Sequence, residues 1–496
     1  MQPTLEQIQD LKGKYPRQLH LLFFTEMWER FTFYGNRALL ILFMVNYLKF
    51  DDVKGNIIYG VYQSLIYAMP VLGGFMADKI LGQRKSILWG GVLLVLGSFV
   101  MAIPVKESFF IGMGIMIVGN GYFKPNISTI VGSLYKDGDG RRDAGFSYFY
   151  MGINIGATLG GLLCGWVGQK INWHLGFGLA GVFMIVGLIT FYLKQHVLGP
   201  IGLPPSQEKL KAKNTVGLSN EIMVYVGSLA AIPLFILILN YYKIYSYIIN
   251  PFGIIALIYV IYTASKLGKE AFLKLMVALV LIIFSSLFWS FYEQGGGSLN
   301  LFAERNVDMN LFGIQLSSAA VNNSITPLFV VLLTPFFVWL WISLSKRNKE
   351  PDSVIKFSLA LLQLGFGFYV FVFASKFADN GIVSLFFFAL GYFFMVTGEL
   401  CLSPIGLSAI TKLSPAKMVG LMMGMWFLAS SYGQYLAGLI GSLMAIPTDA
   451  GTQLPLAESL SIYTDIFGKI ALIAAGCGVV LFILSPLLKK WMKKPT

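Results

Sequence analysis

The stretch TEMWERFTFYGNRALLILFMVNYL, residues 25–48, places two glutamates and two arginines in a segment otherwise apolar enough to lie in a bilayer. On insertion scales each ionised side chain at mid-membrane costs about 2.5 to 3.5 kcal/mol if it faces lipid. Glu26, Glu29 and Arg30 are spaced i, i+3 and i+4, and Arg37 extends the same helical face. The stretch therefore predicts a membrane helix whose charged face lines an interior cavity.

Composition places the whole chain in a membrane. Of its 496 residues 56% are hydrophobic and 12% are charged, and the mean hydropathy is +0.70. A soluble protein cannot bury that apolar fraction. Apolar runs of about 18 to 28 residues, enough to cross about 30 Å of hydrocarbon, recur along the chain and predict an all-α polytopic membrane protein with fourteen transmembrane helices. The predicted spans are 20–47, 55–78, 84–104, 108–134, 143–168, 174–196, 219–240, 247–266, 271–294, 312–342, 354–375, 382–410, 417–444 and 464–487.

The main break in this pattern is HVLGPIGLPPSQEKLKAKNTVGL, residues 196–218, where prolines, glycines and lysines interrupt the apolar runs. Six spans precede the break, two follow it directly, and six end the chain. A six-plus-six layout is typical of the two-bundle architecture of secondary transporters. We therefore predict an N-terminal bundle over 1–200, a linker with two inserted helices over 201–270, and a C-terminal bundle over 271–496.

The net charge of +13 is unevenly distributed between the predicted loops. Basic residues gather in alternate loops, and the positive-inside rule then predicts that both termini are cytoplasmic. We predict that the protein lies in the cell inner membrane. This distribution favours a lipid bilayer over nucleic acid as the partner. The first 20 residues are polar and basic, which predicts no cleavable signal peptide. The basic loop residues include Lys79, Arg84, Lys85, Lys136, Arg141, Arg142, Lys209, Lys211 and Lys213.

Other kinds of chemistry find little support in the sequence. Cys164, Cys401 and Cys477 are isolated within apolar spans, and the three histidines are scattered. The spans contain no nucleophile with a neighbouring base and no phosphate-binding loop. We therefore predict no metal site, no cofactor and no enzymatic activity.

Three further ionisable side chains lie deep in the predicted spans: Lys124 in GNGYFKPN, Glu293 in FWSFYEQGGG and Glu399 in TGELCLSP. At about 1.5 Å per residue, Lys124 and Glu399 lie at a similar depth, and Arg37 and Glu293 both lie in the outer half. We hypothesise an inner gating pair, Lys124 with Glu399, and an outer one, Arg37 with Glu293, that form alternately between the bundles. A carboxylate released from its basic partner in a cavity binds a proton more readily. The alternative is that these charges only lock helices together.

Several motifs carry a family resemblance. EMWERFTFYG resembles the ExxERFxYY motif of the proton-dependent oligopeptide transporter family of the major facilitator superfamily. GGFMADKILGQRK, residues 73–85, resembles the superfamily's loop motif, and FYMGINIGATLGG, residues 149–161, resembles the family signature. GYFKPNIS and GELCLSPIGLS match further family segments. The resemblance covers nearly the whole chain, including the two extra central helices common in bacterial members.

The resemblance implies the major facilitator superfamily fold and symport of di- and tripeptides with protons by alternating access. The proton gradient would be the energy source. Glu26, Glu29, Arg30 and Glu293 match proton-coupling positions of the family. We expect the monomer to be the functional unit.

The resemblance also implies a peptide clamp. Arg30, Arg37 and Lys124 match basic positions near the peptide carboxylate, and Glu399 matches the acid near the peptide ammonium. Arginine can hold a carboxylate through two parallel hydrogen bonds, whereas lysine supplies a mobile point charge. The other pocket positions matched by the sequence are Tyr34, Tyr67, Asn126, Asn154, Ser403 and Trp426.

The sequence departs from the family pattern at three positions. Phe33 replaces the first tyrosine of the motif. Thr326 replaces an asparagine, and Asn322 or Asn323, about one turn earlier, could take over its contact with the peptide. Gly60 stands near the histidine of vertebrate members, which leaves proton coupling to carboxylates. The alternative function is proton-coupled transport of nitrate or another small anion, for which an acid at the position of Glu399 would be superfluous.

Overall fold

The computed structural model describes residues 3–10, 15–136, 139–213, 217–415, 417–447 and 454–492. These residues form fourteen helices of at least 19 residues, and each predicted span coincides with one of them, so the all-α polytopic fold class is confirmed. Eleven are long and apolar enough to cross a membrane. The helices are α1 Arg17–Leu42, α2 Asp52–Met76, α3 Gln83–Met101, α4 Lys106–Ser133, α5 Arg142–Lys170, α6 Trp173–Lys194, α7 Asn220–Asn240, α8 Tyr245–Ser265, α9 Lys269–Tyr292, α10 Ser318–Lys346, α11 Ser353–Ala374, α12 Leu385–Leu413, α13 Val419–Ser442 and α14 Leu456–Met492.

Polar caps and short irregular turns set the ends of several helices. The Asn172 side chain accepts hydrogen bonds from the first turn of α6, and the Asp352 side chain does the same for α11. Helix α1 continues into the π-helical turn Phe43–Tyr47, and α2 continues into Ala77–Leu81. Helix α9 ends in the 3₁₀ turn Glu293–Gly296, which leads into the short helix Ser298–Asn306.

One predicted span begins too early. The predicted span 312–342 starts inside a hairpin in which β2 Asn310–Leu311 pairs antiparallel with β3 Ile314–Gln315. The turn residues Phe312 and Gly313 have φ angles of 53° and 85°, which a right-handed helix does not allow. Helix α10 therefore begins only at Ser318. Nearby, β1 Val307–Asp308 pairs in parallel with β4 Val383–Ser384.

The chain divides into two compact units. Unit 1 contains residues 1–43, 65–241 and 319–327. It therefore holds α1, the later part of α2, α3 to α7, and the first part of α10. Unit 2 contains residues 44–64, 242–318 and 328–496. The two inserted helices are divided between the units, because α7 packs against α4 in unit 1 and α8 packs against α9 and α13 in unit 2.

Glycines bring α5 against the backbone of α1 within unit 1. A methyl group at Gly156 would lie 2.0 Å from the carbonyl oxygen of Met27, and one at Gly160 would lie 2.2 Å from that of Phe31. Both glycines belong to the FYMGINIGATLGG signature. The signature therefore has a packing role here, because only residues without a side chain allow this approach to the charged segment of α1.

A comparable close approach occurs in unit 2 between α2 and α13. A methyl group at Gly60 would lie 2.7 Å from the Cα atom of Gly438. No larger side chain fits at Gly60 without separating the two helices. This gives a physical reason for glycine at a position where the family resemblance raised the question of a histidine.

Candidate functional site

The charged segment of α1 forms a buried ion-pair cluster in unit 1. Glu26 and Glu29 are 0% exposed and Arg30 is 6% exposed. The Arg30 guanidinium donates from both Nε and Nη2 to the Glu29 carboxylate, with the Nη2–Oε1 distance at 2.6 Å. Its Nε also lies 3.4 Å from Oε1 of Glu26. The predicted i, i+3, i+4 face is thus present, and its charges compensate one another inside the protein.

Helix α4 completes the cluster. Lys124 donates a hydrogen bond from Nζ to Oε1 of Glu26. Asn120, one turn earlier on the same face of α4, donates to Oε1 of Glu29 at 3.5 Å. The sequence analysis did not identify Asn120, although its spacing of four residues from Lys124 is the signal that could have found it.

The cluster holds two carboxylates and two bases. Oε2 of Glu26 is buried and has no hydrogen-bond partner among the residues that the structure describes. Leaving such an acceptor unpaired costs about 1 to 3 kcal/mol. Lys124 has the most exposed side chain of the four, at 30%. The cluster therefore combines a partly exposed base with a buried carboxylate that has one unpaired oxygen.

Aromatic rings flank the two arginines of α1. The Arg30 guanidinium carbon lies 4.8 Å from the centroid of the Phe33 ring, and that of Arg37 lies 5.6 Å from the centroid of the Tyr34 ring. Both distances fall in the range of cation–π contacts. Phe33, which lacks the hydroxyl of the family motif, thus still offers an aromatic face to Arg30. Tyr34 and Arg37 are half-buried.

The remaining candidate residues of unit 1 lie on four helices, α2, α4, α5 and α10. Asn126 and Asn154 donate from their amides to carbonyl oxygens one turn earlier, at 2.7 and 2.9 Å. Tyr67 is half-buried. In the part of α10 that belongs to unit 1, Asn323 donates to the carbonyl oxygen of Ala319 at 3.0 Å. Its neighbour Asn322 is buried and Thr326 is half-buried.

Unit 2 carries the candidate acids of the C-terminal half. The half-buried Glu399 accepts a hydrogen bond from the hydroxyl of Tyr292. Glu293, the next residue after Tyr292, is 4% exposed and stands where α9 gives way to its 3₁₀ turn. The sequence analysis missed Tyr292, although its position directly before Glu293 in FWSFYEQGGG was visible.

The last two candidates, Ser403 and Trp426, are half-buried in unit 2. A methyl group at Gly406 would lie 2.3 Å from Cη2 of Trp426, so the indole packs directly on the backbone of α12. Trp426 thus presents a large amphipathic ring next to the helix that carries Glu399. No group of three potential metal ligands occurs among the described histidine, cysteine, aspartate and glutamate residues.

Of the predicted site residues, unit 1 brings together Glu26, Glu29, Arg30 and Lys124. In unit 2, the Tyr292 hydroxyl donates a hydrogen bond to Glu399. Lys124 is bound by Glu26 here, and the exchange of this partner for Glu399 stays a prediction. The same holds for the pair of Arg37 with Glu293.

Comparison with known proteins agrees with the motifs. The profile of the POT family matches residues 84–456. The uncharacterized transporter YclF of Bacillus subtilis (strain 168) is 37% identical over 97% of this chain and 95% of its own length. The peptide transporter YePEPT of Yersinia enterocolitica subsp. palearctica is 35% identical over 95% of this chain and 94% of its own length.

Solved structures show the same similarity in three dimensions. The crystal structure of peptide transporter POT in complex with sulfate superposes with a TM-score of 0.83 at 35% identity, covering 99% of this chain and 100% of that one. Similarity at this level covers the helical architecture over the full length of the chain. The chain therefore belongs to the POT family of membrane transporters, and it is a transporter rather than an enzyme.

Proposed function

We propose that this protein imports di- and tripeptides together with protons by alternating access. The observation that carries the proposal is the buried cluster of Glu26, Glu29, Arg30 and Lys124 in unit 1. A cluster with one partly exposed lysine and one open carboxylate position can exchange an internal ion pair for a substrate and a proton. The acid that we propose for the other end of the substrate is Glu399 of unit 2.

The substrate class follows from the charges. Every peptide has a carboxylate at one end and an ammonium at the other. Arg30, Arg37 and Lys124 are suited to the carboxylate, and Glu399 is suited to the ammonium. Half-buried aromatic side chains offer shape-tolerant apolar contact to the varied peptide side chains. The proposed pocket positions are Tyr34, Tyr67, Asn126, Asn154, Asn322, Asn323, Thr326, Ser403 and Trp426.

The proposed coupling step begins when Lys124 leaves Glu26 for the peptide carboxylate or for Glu399. Glu26 then keeps only Arg30 beside Oε1, and its carboxylate can take up the proton that accompanies the peptide. The proton that it binds travels with the peptide and is released when Lys124 returns. Glu29, held by Arg30, supplies the fixed negative charge of the cluster, and Glu293 takes part through the outer pair with Arg37.

We further propose that the moving parts are the bundles 1–200 and 271–496, joined by the linker and inserted helices of 201–270. Alternation of the Lys124–Glu399 and Arg37–Glu293 pairs would close the inner and outer sides in turn. We place the protein in the cell inner membrane, with both termini in the cytoplasm, and take the monomer as the transporting unit. The basic loops support this orientation.

The test is uptake of labelled dialanine into liposomes that contain the purified protein, with and without an inward proton gradient. We expect accumulation only with the gradient, and we expect Glu29→Gln and Lys124→Ala to abolish it. Glu221→Gln is the matched control, because Glu221 also pairs with a lysine in unit 1 but is 22% exposed and lies on the inserted helix α7. Loss of uptake in the control as well would point to general damage.

Nitrate uptake tests the alternative. Gradient-driven accumulation of labelled nitrate, together with no accumulation of dialanine by a folded preparation, would overturn the peptide assignment. The protein would then be a proton-coupled anion transporter of the same family. Competition between unlabelled dipeptides and labelled dialanine would support the peptide assignment.

A further inference from the structure

Unit 1 contains a basic cavity that the transport site does not use. The cavity has a volume of about 420 Å³ and lies between the start of α1 and the end of α6. Its basic side chains are Arg17, His20, Lys194 and His196, and the described lining residues include no carboxylate. Its remaining lining residues are Pro3, Gln18, Leu21, Phe24, Thr190 and Val197.

The two permanent cations of this cavity are available to a ligand. Arg17 and Lys194 are both exposed, and neither forms an ion pair with any residue that the structure describes. The histidines are oriented by contacts through Nδ1, which lies 3.0 Å from the Tyr148 hydroxyl in His20 and 3.0 Å from the carbonyl oxygen of Leu193 in His196. Four basic groups thus converge on one space without internal neutralisation.

A hydrogen bond between α1 and the turn after α6 sets the spacing across the cavity. Gln18 is 8% exposed and donates from Nε2 to the carbonyl oxygen of Val197 at 3.0 Å. This bond joins the first turn of α1 to the 3₁₀ turn Gln195–Leu198 that follows α6. The spacing between the basic groups on the two helices therefore does not depend on a ligand.

One wall of the cavity is apolar and exposed on the outer surface of the helices. Phe24, which lines the cavity, is 47% exposed, and the neighbouring Tyr192 and Leu193 on α6 are each 63% exposed. In a membrane helix such side chains face acyl chains. A ligand that fits both surfaces has an anionic head for the basic groups and a hydrocarbon tail for the apolar wall.

We propose that this cavity binds the headgroup of an anionic glycerophospholipid in the leaflet where the basic loops lie. Arginine and lysine hold the phosphate, and an acyl chain passes along Phe24. Basic groups next to a membrane surface attract anionic lipids in this way. A free phosphate ion shares the headgroup chemistry but has no hydrocarbon group to contact the apolar wall.

The test is native mass spectrometry of the purified full-length protein with added phosphatidylglycerol or phosphatidylcholine. We expect a preference for phosphatidylglycerol, and about 30-fold weaker binding in the double variant Arg17→Gln/Lys194→Gln, since each basic residue contributes about fivefold. Lys209→Gln/Lys211→Gln removes two charges from the linker outside the cavity and is expected to keep the preference. Equal phosphatidylglycerol binding in the unsubstituted protein and the cavity variant would overturn the proposal.

Two further measurements distinguish binding of the whole lipid from binding of a phosphate group alone. They also distinguish a specific loss of binding from misfolding. Phe24→Gln leaves every charge in place, and we expect it to weaken phosphatidylglycerol binding as well. Excess inorganic phosphate is expected to leave the bound lipid in place. Displacement of the lipid by phosphate, with no effect of Phe24→Gln, would reassign the cavity to a free phosphate and overturn the lipid proposal.

Discussion

Lys124 and Arg30 share one oxygen of Glu26: Lys124 donates to Oε1, and Nε of Arg30 lies 3.4 Å from the same atom. The other oxygen, Oε2, is buried and has no partner among the described residues. Lys124 can therefore leave while Glu26 keeps one basic neighbour. The proton-coupling role that we propose for Glu26 rests on this asymmetry.

The first prediction concerns Glu26→Gln. The amide keeps the shape of the side chain but carries no charge, so Lys124 loses its ionic partner and no proton can be bound there. We expect gradient-driven accumulation of dialanine to fall about tenfold or more, because hydrogen bonds to charged groups are worth about 1.5 to 3 kcal/mol. Exchange of peptide across the membrane without a gradient should persist. The exposed pair Glu270–Lys274 supplies the control Glu270→Gln, and loss of exchange in Glu26→Gln would contradict a specific coupling role.

The second prediction concerns Tyr292→Phe. The change removes the hydroxyl that donates to Glu399 and leaves the ring in place. We expect the KM for dialanine to rise about tenfold, since Glu399, the acid that we propose binds the peptide ammonium, loses a hydrogen bond that holds it in position. Tyr432→Phe, which removes a hydroxyl bound to Asn250 at 3.0 Å in the same unit, is the control. A similar KM in Tyr292→Phe and the unsubstituted protein would show that this hydrogen bond does not position Glu399.

The third prediction concerns Gly160→Ala. The added methyl group would lie 2.2 Å from the carbonyl oxygen of Phe31, so α5 must move away from α1. We expect a loss of about 1 to 3 kcal/mol of stability, visible as a lower midpoint of thermal unfolding. Gly227→Ala on α7 is the matched control, because no described atom lies within 4 Å of the added methyl group. An equal midpoint for both variants would mean that the packing of α1 and α5 tolerates separation.

The fourth prediction concerns Asp52→Asn in unit 2. Asp52 is 2% exposed and accepts two hydrogen bonds from Arg305, at 2.6 and 2.9 Å. Breaking a buried pair leaves an uncompensated charge, and we expect a loss of about 3 kcal/mol of stability in thermal or denaturant unfolding. The pair Asp465–Lys469 has both side chains about 60% exposed, so Asp465→Asn should cost less than about 1 kcal/mol. Equal losses in both variants would contradict the difference in burial.

The fifth prediction concerns pH. Hydrogen bonds from Arg141 lower the pKa of Asp139, in the loop between α4 and α5, to about 2. A lowered pKa means that the stabilising contribution is present above the ordinary pKa and is lost only as the pH falls toward 2. Asp139 therefore stays ionised between about pH 5 and 7. We expect Asp139→Asn to leave the pH profile of dialanine uptake unchanged, and a shifted profile would show that this loop takes part in proton coupling.

The sequence alone was sufficient to predict the helices and the charged face that α1 contributes to the site. Hydropathy predicted a span at each of the fourteen long helices that the described residues form, because lipid selects apolar runs of a fixed length wherever they lie in the chain. Eleven of these helices are long and apolar enough to cross a membrane. The spacing of Glu26, Glu29 and Arg30 was enough to put them together, because helical periodicity is a local property. The start of α10 was misplaced because hydropathy does not detect the left-handed turn at Phe312 and Gly313.

The tertiary structure decided which helices meet. Lys124 reaches Glu26 across 98 residues of sequence, and Tyr292 reaches Glu399 across 107. Within a membrane every helix surface is similarly apolar, so hydropathy reports the depth of a residue but not its neighbour. Neighbours are instead chosen by close packing, as where Gly156 and Gly160 admit the backbone of α1. The sequence by itself thus determined the helices and the charges that they carry. Only packing between distant segments decided that Glu26 shares one oxygen between two bases and keeps the other open.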